Sequence, residues 1–177
     1  MKRQEAIGYG AIVVSILLVI LGYNGMTFEG EIQDIPTPNT PNRSYFADEP
    51  LPEKGFGPFL AVTLDLVWDR DDVYAVIVDQ DEKNTCESTP PGLQDFGDAA
   101  KCGPYDSDVI AGSTDGSSGL TWQVEPGTYH VGIGTFEPVP DGFEVNMQYA
   151  VHLQAGFALY FVFILVGIFG LAYTRVE

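Results

Sequence analysis

Nucleophilic catalysis needs a nucleophile, a base and an acid that orients the base. The chain has two histidines, His130 and His152. Neither lies in a G-x-S-x-G elbow, and no H-E-x-x-H stretch would bring two imidazoles to one zinc. His152 stands two residues before Gln154, next to an apolar block. Both imidazoles therefore read as packing or surface groups, and no catalytic residues are assigned. Carboxylates are abundant, which makes any single pair uninformative for acid–base work.

Two acidic clusters could hold a hard cation, which needs several oxygens at about 2.3–2.6 Å. The first is Asp69, Asp71 and Asp72, and the second is Asp79, Asp81 and Glu82. If residues 73–78 form one strand, the clusters lie at opposite ends of it, about 20–25 Å apart, and cannot share an ion. The second cluster precedes a loop that carries Glu87, Asp106 and Asp108. No cofactor is expected, or else calcium, with Asp79, Asp81 and Asp108 as its ligands; the alternative is acidic turns held in solvent. The run is not an EF-hand, because Lys83 and Asn84 occupy a ligand position and the glycine position.

Cys86 and Cys102 are the only cysteines. An even count in an oxidising compartment predicts one disulfide. Two sulfurs with no histidine between them are too few for a zinc site.

Two blocks free of charge decide where these groups sit. They run from Ala6 to Tyr23 and from Ala155 to Tyr173. As helices they reach about 27–28 Å, close to the hydrocarbon thickness of a bilayer. A backbone in lipid must satisfy its own hydrogen bonds, so each block is expected to be a transmembrane helix. No small-x-small cleavage motif follows the first block, so it is read as a retained span rather than a signal peptide. Lys2, Arg3 and Arg175 flank the spans. The positive-inside rule then places residues 1–5 and 174–177 in the cytoplasm and 24–154 outside the cell. Neither span contains a charge, which argues against an ion path or a proton relay. Small residues dot both blocks: Ala6, Gly10, Ala11 and Ser15, then Gly156, Gly167 and Gly170. They allow the helices to pack on each other or on another membrane protein.

The whole chain has 25 acidic and 8 Lys or Arg residues. Removing Glu5, Glu177, Lys2, Arg3 and Arg175 leaves 23 acids and 5 bases outside, a net charge of −18. Nucleic acid is excluded as a partner on this ground. Divalent cations, cationic proteins or simple solvation in a saline medium suit such a charge.

Residues 24–58 read as a strand over Met26–Gln33 followed by an extended linker, free or packed along the domain, punctuated by Pro36, Pro38, Pro41, Pro50, Pro52 and Pro58. Asn42-Arg43-Ser44 in that linker is a glycosylation sequon. Residues 59–154 read as a β-sandwich with a disulfide loop. Phe59–Trp68 and Asp72–Asp79 are β-rich runs joined by Asp69-Arg70-Asp71, and are expected to form a hairpin. The stretch Gln80–Ser107, with Pro90, Pro91, Gly92, Gly97, Gly103 and Pro104, reads as loop. Three more strands are expected over 119–124, 128–136 and 143–153, with turns at Glu125-Pro126-Gly127 and Pro140-Asp141-Gly142. In the second of these strands Gly132 and Gly134 share a face with His130, and an aromatic ring, Trp68 or Trp122, is expected over them. Six or seven short strands between glycine and proline turns indicate a β-sandwich or jelly roll. The last strand runs almost directly into the second span, which keeps this domain near the membrane.

The order of motifs Phe59-x-Val-x-Leu-x-Leu, Asp72-Val73-Tyr74-Ala75-Val76-Ile77-Val78 and Pro126-Gly127-Thr128-Tyr129-His130-Val131 is similar to that of the pre-peptidase C-terminal domain family. The likeness covers residues 59–153. It implies a small jelly-roll sandwich that binds or organises something, with Asp72 opening a strand in a structural role. This chain departs from the family in carrying no peptidase, an inserted disulfide loop and an apolar block at each end.

The fold class expected is thus a membrane protein with two transmembrane α-helices flanking an all-β extracellular domain. The expected function is a non-enzymatic accessory subunit or surface interaction module, with the bilayer and another membrane protein or a second copy as partners. The alternative is a surface sensor for calcium or carbohydrate.

Overall fold

The computed structural model describes residues 3–37, 40–52, 57–88, 102–140 and 142–175. Lys2, Pro38, Pro90, Pro91, Gly92, Gly97, Asp141 and Glu177 lie outside the described residues. The described chain forms two compact units.

The first unit is built on the two apolar helices, α1 (Arg3–Asn24) and α3 (Phe157–Thr174). Both are long and apolar enough to cross a membrane. They pack on each other through small residues. Ser15 donates its hydroxyl to the Phe163 carbonyl at 2.6 Å. Gly170 lies against the Gly8 carbonyl and Ala11, and Gly167 lies beside Ser15. Of the small residues noted in the sequence, Ala11, Ser15, Gly167 and Gly170 are thus at the contact, while Gly10 faces open space. The remaining surfaces are apolar and exposed, among them Val13, Leu17, Leu21, Phe161, Ile168 and Phe169. Such faces are stable in lipid and unstable in water.

The second unit is a sandwich of two antiparallel four-stranded sheets. Among the described residues the strands are β1 (Met26–Pro36), β2 (Tyr45–Phe46), β3 (Leu60–Trp68), β4 (Val73–Asp79), β5 (Ala111–Ser113), β6 (Leu120–Gln123), β7 (Tyr129–Thr135) and β8 (Glu144–Ala155). One sheet has the order β1-β8-β3-β6 and the other β2-β7-β4-β5. First pairs with eighth, third with sixth, second with seventh and fourth with fifth, which is the strand order of a jelly roll.

Alternation along β3 explains its place. Leu64, Leu66 and Trp68 are buried, while Asp65 and Val67 face away from the core. Leu120 and Trp122 of β6 and Val145 and Met147 of β8 join them inside. From the opposite sheet Tyr129 meets Trp122 edge-on, with ring centroids 4.8 Å apart. Strand β4 is different, because Val73 to Val78 are all at most 1% exposed. A strand apolar on both faces must be central and covered on both sides. Its outer face is covered by the segment around Arg43–Ala47 and by α2 (Gln80–Ser88).

These facts correct two expectations. Phe59–Trp68 and Asp72–Asp79 are not a hairpin, since β3 pairs with β6 and β4 pairs with β5 and β7. The run between them is a corner from one sheet to the other. Asp69 fixes it by accepting from the Asn146 backbone N–H at 3.0 Å and the Asn146 amide at 2.7 Å. Arg70 forks onto Asp72 at 2.9 and 2.5 Å and lies over the Phe143 ring. The described part of the proline-rich stretch packs along β7. Asn42, Ala47 and Leu51 donate backbone N–H groups to Thr135, Val131 and Tyr129 along β7. Finally, residues 80–88 are a helix rather than loop. Asp79 caps it, accepting from the Glu82 N–H at 2.8 Å.

The glycine face of β7 is covered by aromatic rings, but not by a tryptophan. Phe46 lies over Gly132 and Tyr74 over Gly134.

Asp69, Asp72 and Asp115 are held below the ordinary aspartate value near 3.8, by hydrogen bonds from Asn146, from Arg70, and from the Ser117–Ser118 turn, respectively. A lowered native pKa adds stability above the unfolded value, and that stability is lost as the pH falls through the native value. The sandwich is therefore expected to lose stability progressively below about pH 4. Thermal melts across that range check it. Asp69→Asn should flatten the acid limb, and an unchanged limb would contradict the assignment.

Candidate functional site

His130 is 2% exposed. Its Nε2 lies 2.9 Å from Gln80 Oε1, and its Nδ1 lies 3.4 Å from the Lys83 ammonium. Lys83 is itself buried and donates to the Ala47 carbonyl at 2.9 Å, with Glu87 3.8 Å away. His130 Nδ1 also lies 3.2 Å from the Ala47 carbonyl. His130 thus ties α2 and the Ala47 segment to β7, with an amide and an ammonium as neighbours instead of two carboxylates. His152 Nδ1 is 2.8 Å from the Thr27 hydroxyl.

The expected calcium ligands lie around α2 and the chain after the disulfide. Asp79 caps α2, Asp81 is exposed in its first turn, and Asp108 is exposed beyond the disulfide. Glu82 was not among them, yet it faces three other acids. Burial, and then Asp108, Asp106 and Asp79, push its carboxyl above the ordinary value of 4.5. Among the described residues, the ligand atoms that converge within 4.8 Å are those of Glu82, Cys86 and Cys102. Cys86 and Cys102 are bonded to each other as a disulfide. Their sulfurs carry neither a proton to donate nor a free thiolate for a metal. Among the described residues, Glu82 has no compensating partner there.

A raised native pKa in an acid costs stability above the unfolded value, and the cost disappears as the pH falls below that value. Glu82→Gln is therefore expected to raise the melting temperature at pH 7 and to give no gain below about pH 4. An unchanged melting temperature at pH 7 would show that the carboxylate is not crowded.

Asn42 of the sequon is exposed at a turn with φ 57°, a left-handed conformation that asparagine tolerates. Ser44 is buried and donates to the Cys102 carbonyl, and its hydroxyl lies 3.4 Å from that of Tyr74.

An open groove lies on the solvent face of the β1-β8-β3-β6 sheet. A concavity of about 520 Å³ is lined by Glu29, Glu31, Asp65, Val67, Gln148 and their neighbours. A second, of about 340 Å³, shares Glu31, Val67 and Gln148 with it and continues to Asp69 and Asn146. Period-two alternation puts these side chains on one face. Asp65 accepts from the Thr121 hydroxyl at 2.5 Å, and Asp69 is engaged by Asn146. Glu29 and Glu31 make no hydrogen bond or ion pair with any described residue. The groove carries four carboxylates and no lysine or arginine, a negative field suited to a cationic ligand. The sequence could not reveal it, because its acids come from β1 and from β3 with the corner after it, about 35 residues apart in the chain.

Both tryptophans are buried, so neither offers a platform for a sugar ring. No protein-family model matches the chain, and no curated protein matches it in sequence.

Proposed function

We propose that the chain is a membrane-anchored interaction module. In this reading α1 and α3 cross the bilayer as a packed pair, both short ends lie in the cytoplasm, and the jelly roll stands outside the cell. The acidic groove receives a cationic surface of another membrane protein, which makes the chain an accessory subunit rather than an enzyme. The observation that carries the reading is the pairing of two helices whose outer surfaces are apolar with a groove of four acids and no base. The flanking Lys2, Arg3 and Arg175 support the orientation. The resemblance of residues 59–153 to pre-peptidase C-terminal domains supports a binding role. Gentle detergent extraction of the native protein tests it. A stoichiometric membrane partner with a basic external surface is expected, and a lone monomer would count against it.

A second reading, calcium sensing, is favoured by the crowding of Glu82 by Asp108, Asp106 and Asp79. Calcium would relieve that repulsion, so millimolar calcium should raise the melting temperature. No rise removes this reading.

A further inference from the structure

We infer that the free edge of β1 is a docking site for an extended segment of a partner, one whose residues alternate between basic and apolar. The inference rests on the interaction-module reading and specifies the partner for the same groove.

Strand edges present unpaired backbone N–H and C=O groups, and proteins keep such edges short or covered. Three of the four edge strands here obey that rule. β2 has 2 residues, β5 has 3 and β6 has 4. β1 has 11, lies at the end of its sheet, and has no strand neighbour on its outer side among the described residues. Almost all of its residues are exposed or half-exposed. An edge this long and open is what strand addition uses: main-chain bonds give affinity and alternate side chains give specificity.

The side chains of β1 state what would fit. Glu29 and Glu31 point to the groove face, with Asp65 behind them. Phe28 and Ile32, 51% and 50% exposed, lie on the other face. Between them Gly30 has no side chain of its own, and the Tyr149 ring covers its place. A second copy of β1 is a poor occupant. Antiparallel pairing about Gly30 sets Glu29 opposite Glu31, and pairing about Glu29 or Glu31 sets that residue opposite itself. Like charges directly opposite destabilise a pair. The same acids discourage indiscriminate pairing with neutral strands and favour a basic one. A segment alternating Lys or Arg with Val, Ile or Leu would place cations beside Glu29 and Glu31 and apolar groups beside Phe28 and Ile32. Asp34, at φ 57°, breaks the regular ladder toward the end of β1 and limits the usable edge to residues 26–33.

The test uses the full chain in uncharged detergent with a labelled short peptide alternating lysine and valine. Its control is the same peptide N-methylated at every second residue, which keeps charge and side chains but cannot form the ladder. The plain peptide should bind and slow amide exchange within residues 26–33. The methylated peptide should bind at least about tenfold more weakly, the equivalent of one or two main-chain hydrogen bonds. Glu29→Lys/Glu31→Lys, with an unchanged melting temperature, should weaken the plain peptide similarly. Equal binding of both peptides, protection at another edge, or no binding would overturn the inference. A native membrane partner lost with Glu29→Lys/Glu31→Lys, while the plain and methylated peptides bind alike, would overturn the edge assignment and leave the interaction-module reading standing.

Discussion

Tyr74→Ala is expected to destabilise the sandwich by about 3–5 kcal/mol, the range for emptying a buried aromatic site. Tyr74 is fully buried in the central strand β4. Its ring lies over Gly134, its partner across the sheet, and 4.9 Å from the Phe136 ring. Its hydroxyl meets that of Ser44 on the segment beside β7. Removing the ring uncovers the glycine backbone and leaves Ser44 with one contact fewer. The converse change, Gly134→Ala, should also destabilise, by about 1–3 kcal/mol, because the new methyl would strike the ring and the Arg43 carbonyl. Denaturant unfolding of both variants and their double mutant checks the pair. The cost of Gly134→Ala should shrink once the ring is gone. Strict additivity would mean that the ring and the glycine do not share a site.

Removing the disulfide is the second large effect. Cys86 and Cys102 are 2% and 0% exposed and join α2 to the chain 16 residues on. Loop closure of that length contributes about 3 kcal/mol in the chain-entropy account. Cys86→Ser/Cys102→Ser should therefore lower the melting temperature by roughly 10 °C for a domain of this size. The loss should exceed that of Lys83→Met, which removes one link between α2 and the Ala47 carbonyl. The comparison of melts under oxidising and reducing conditions gives a second measure. No difference between them would mean that the bridge adds nothing to stability.

The sequence was readable where one signal dominated. Two long charge-free blocks became α1 and α3 because no other structure satisfies such a run. The alternation in Leu64-Asp65-Leu66-Val67-Trp68 gave β3 its inward and outward faces. The hairpin expectation failed for a physical reason also present in the residues: Val73 to Val78 are apolar on both faces, which suits a central strand of another sheet. Helix α2 was hidden because it lacks an apolar stripe. The pair Asp79 and Glu82, three apart, was the available start signal. β2 and β5 are too short to show any period. The groove depends on register between β1, β8 and β3, which no local pattern specifies.

The most direct test of the account is the topology of the two spans. Single cysteines at Gln4, Gln123 and Arg175, all exposed positions, would be treated in intact cells with a membrane-impermeant maleimide. The prediction is that Gln123→Cys is labelled at once, and that Gln4→Cys and Arg175→Cys are labelled only after the membrane is opened. Labelling of either end in intact cells, or protection of position 123, would contradict a chain that crosses the bilayer twice and leaves its jelly roll outside.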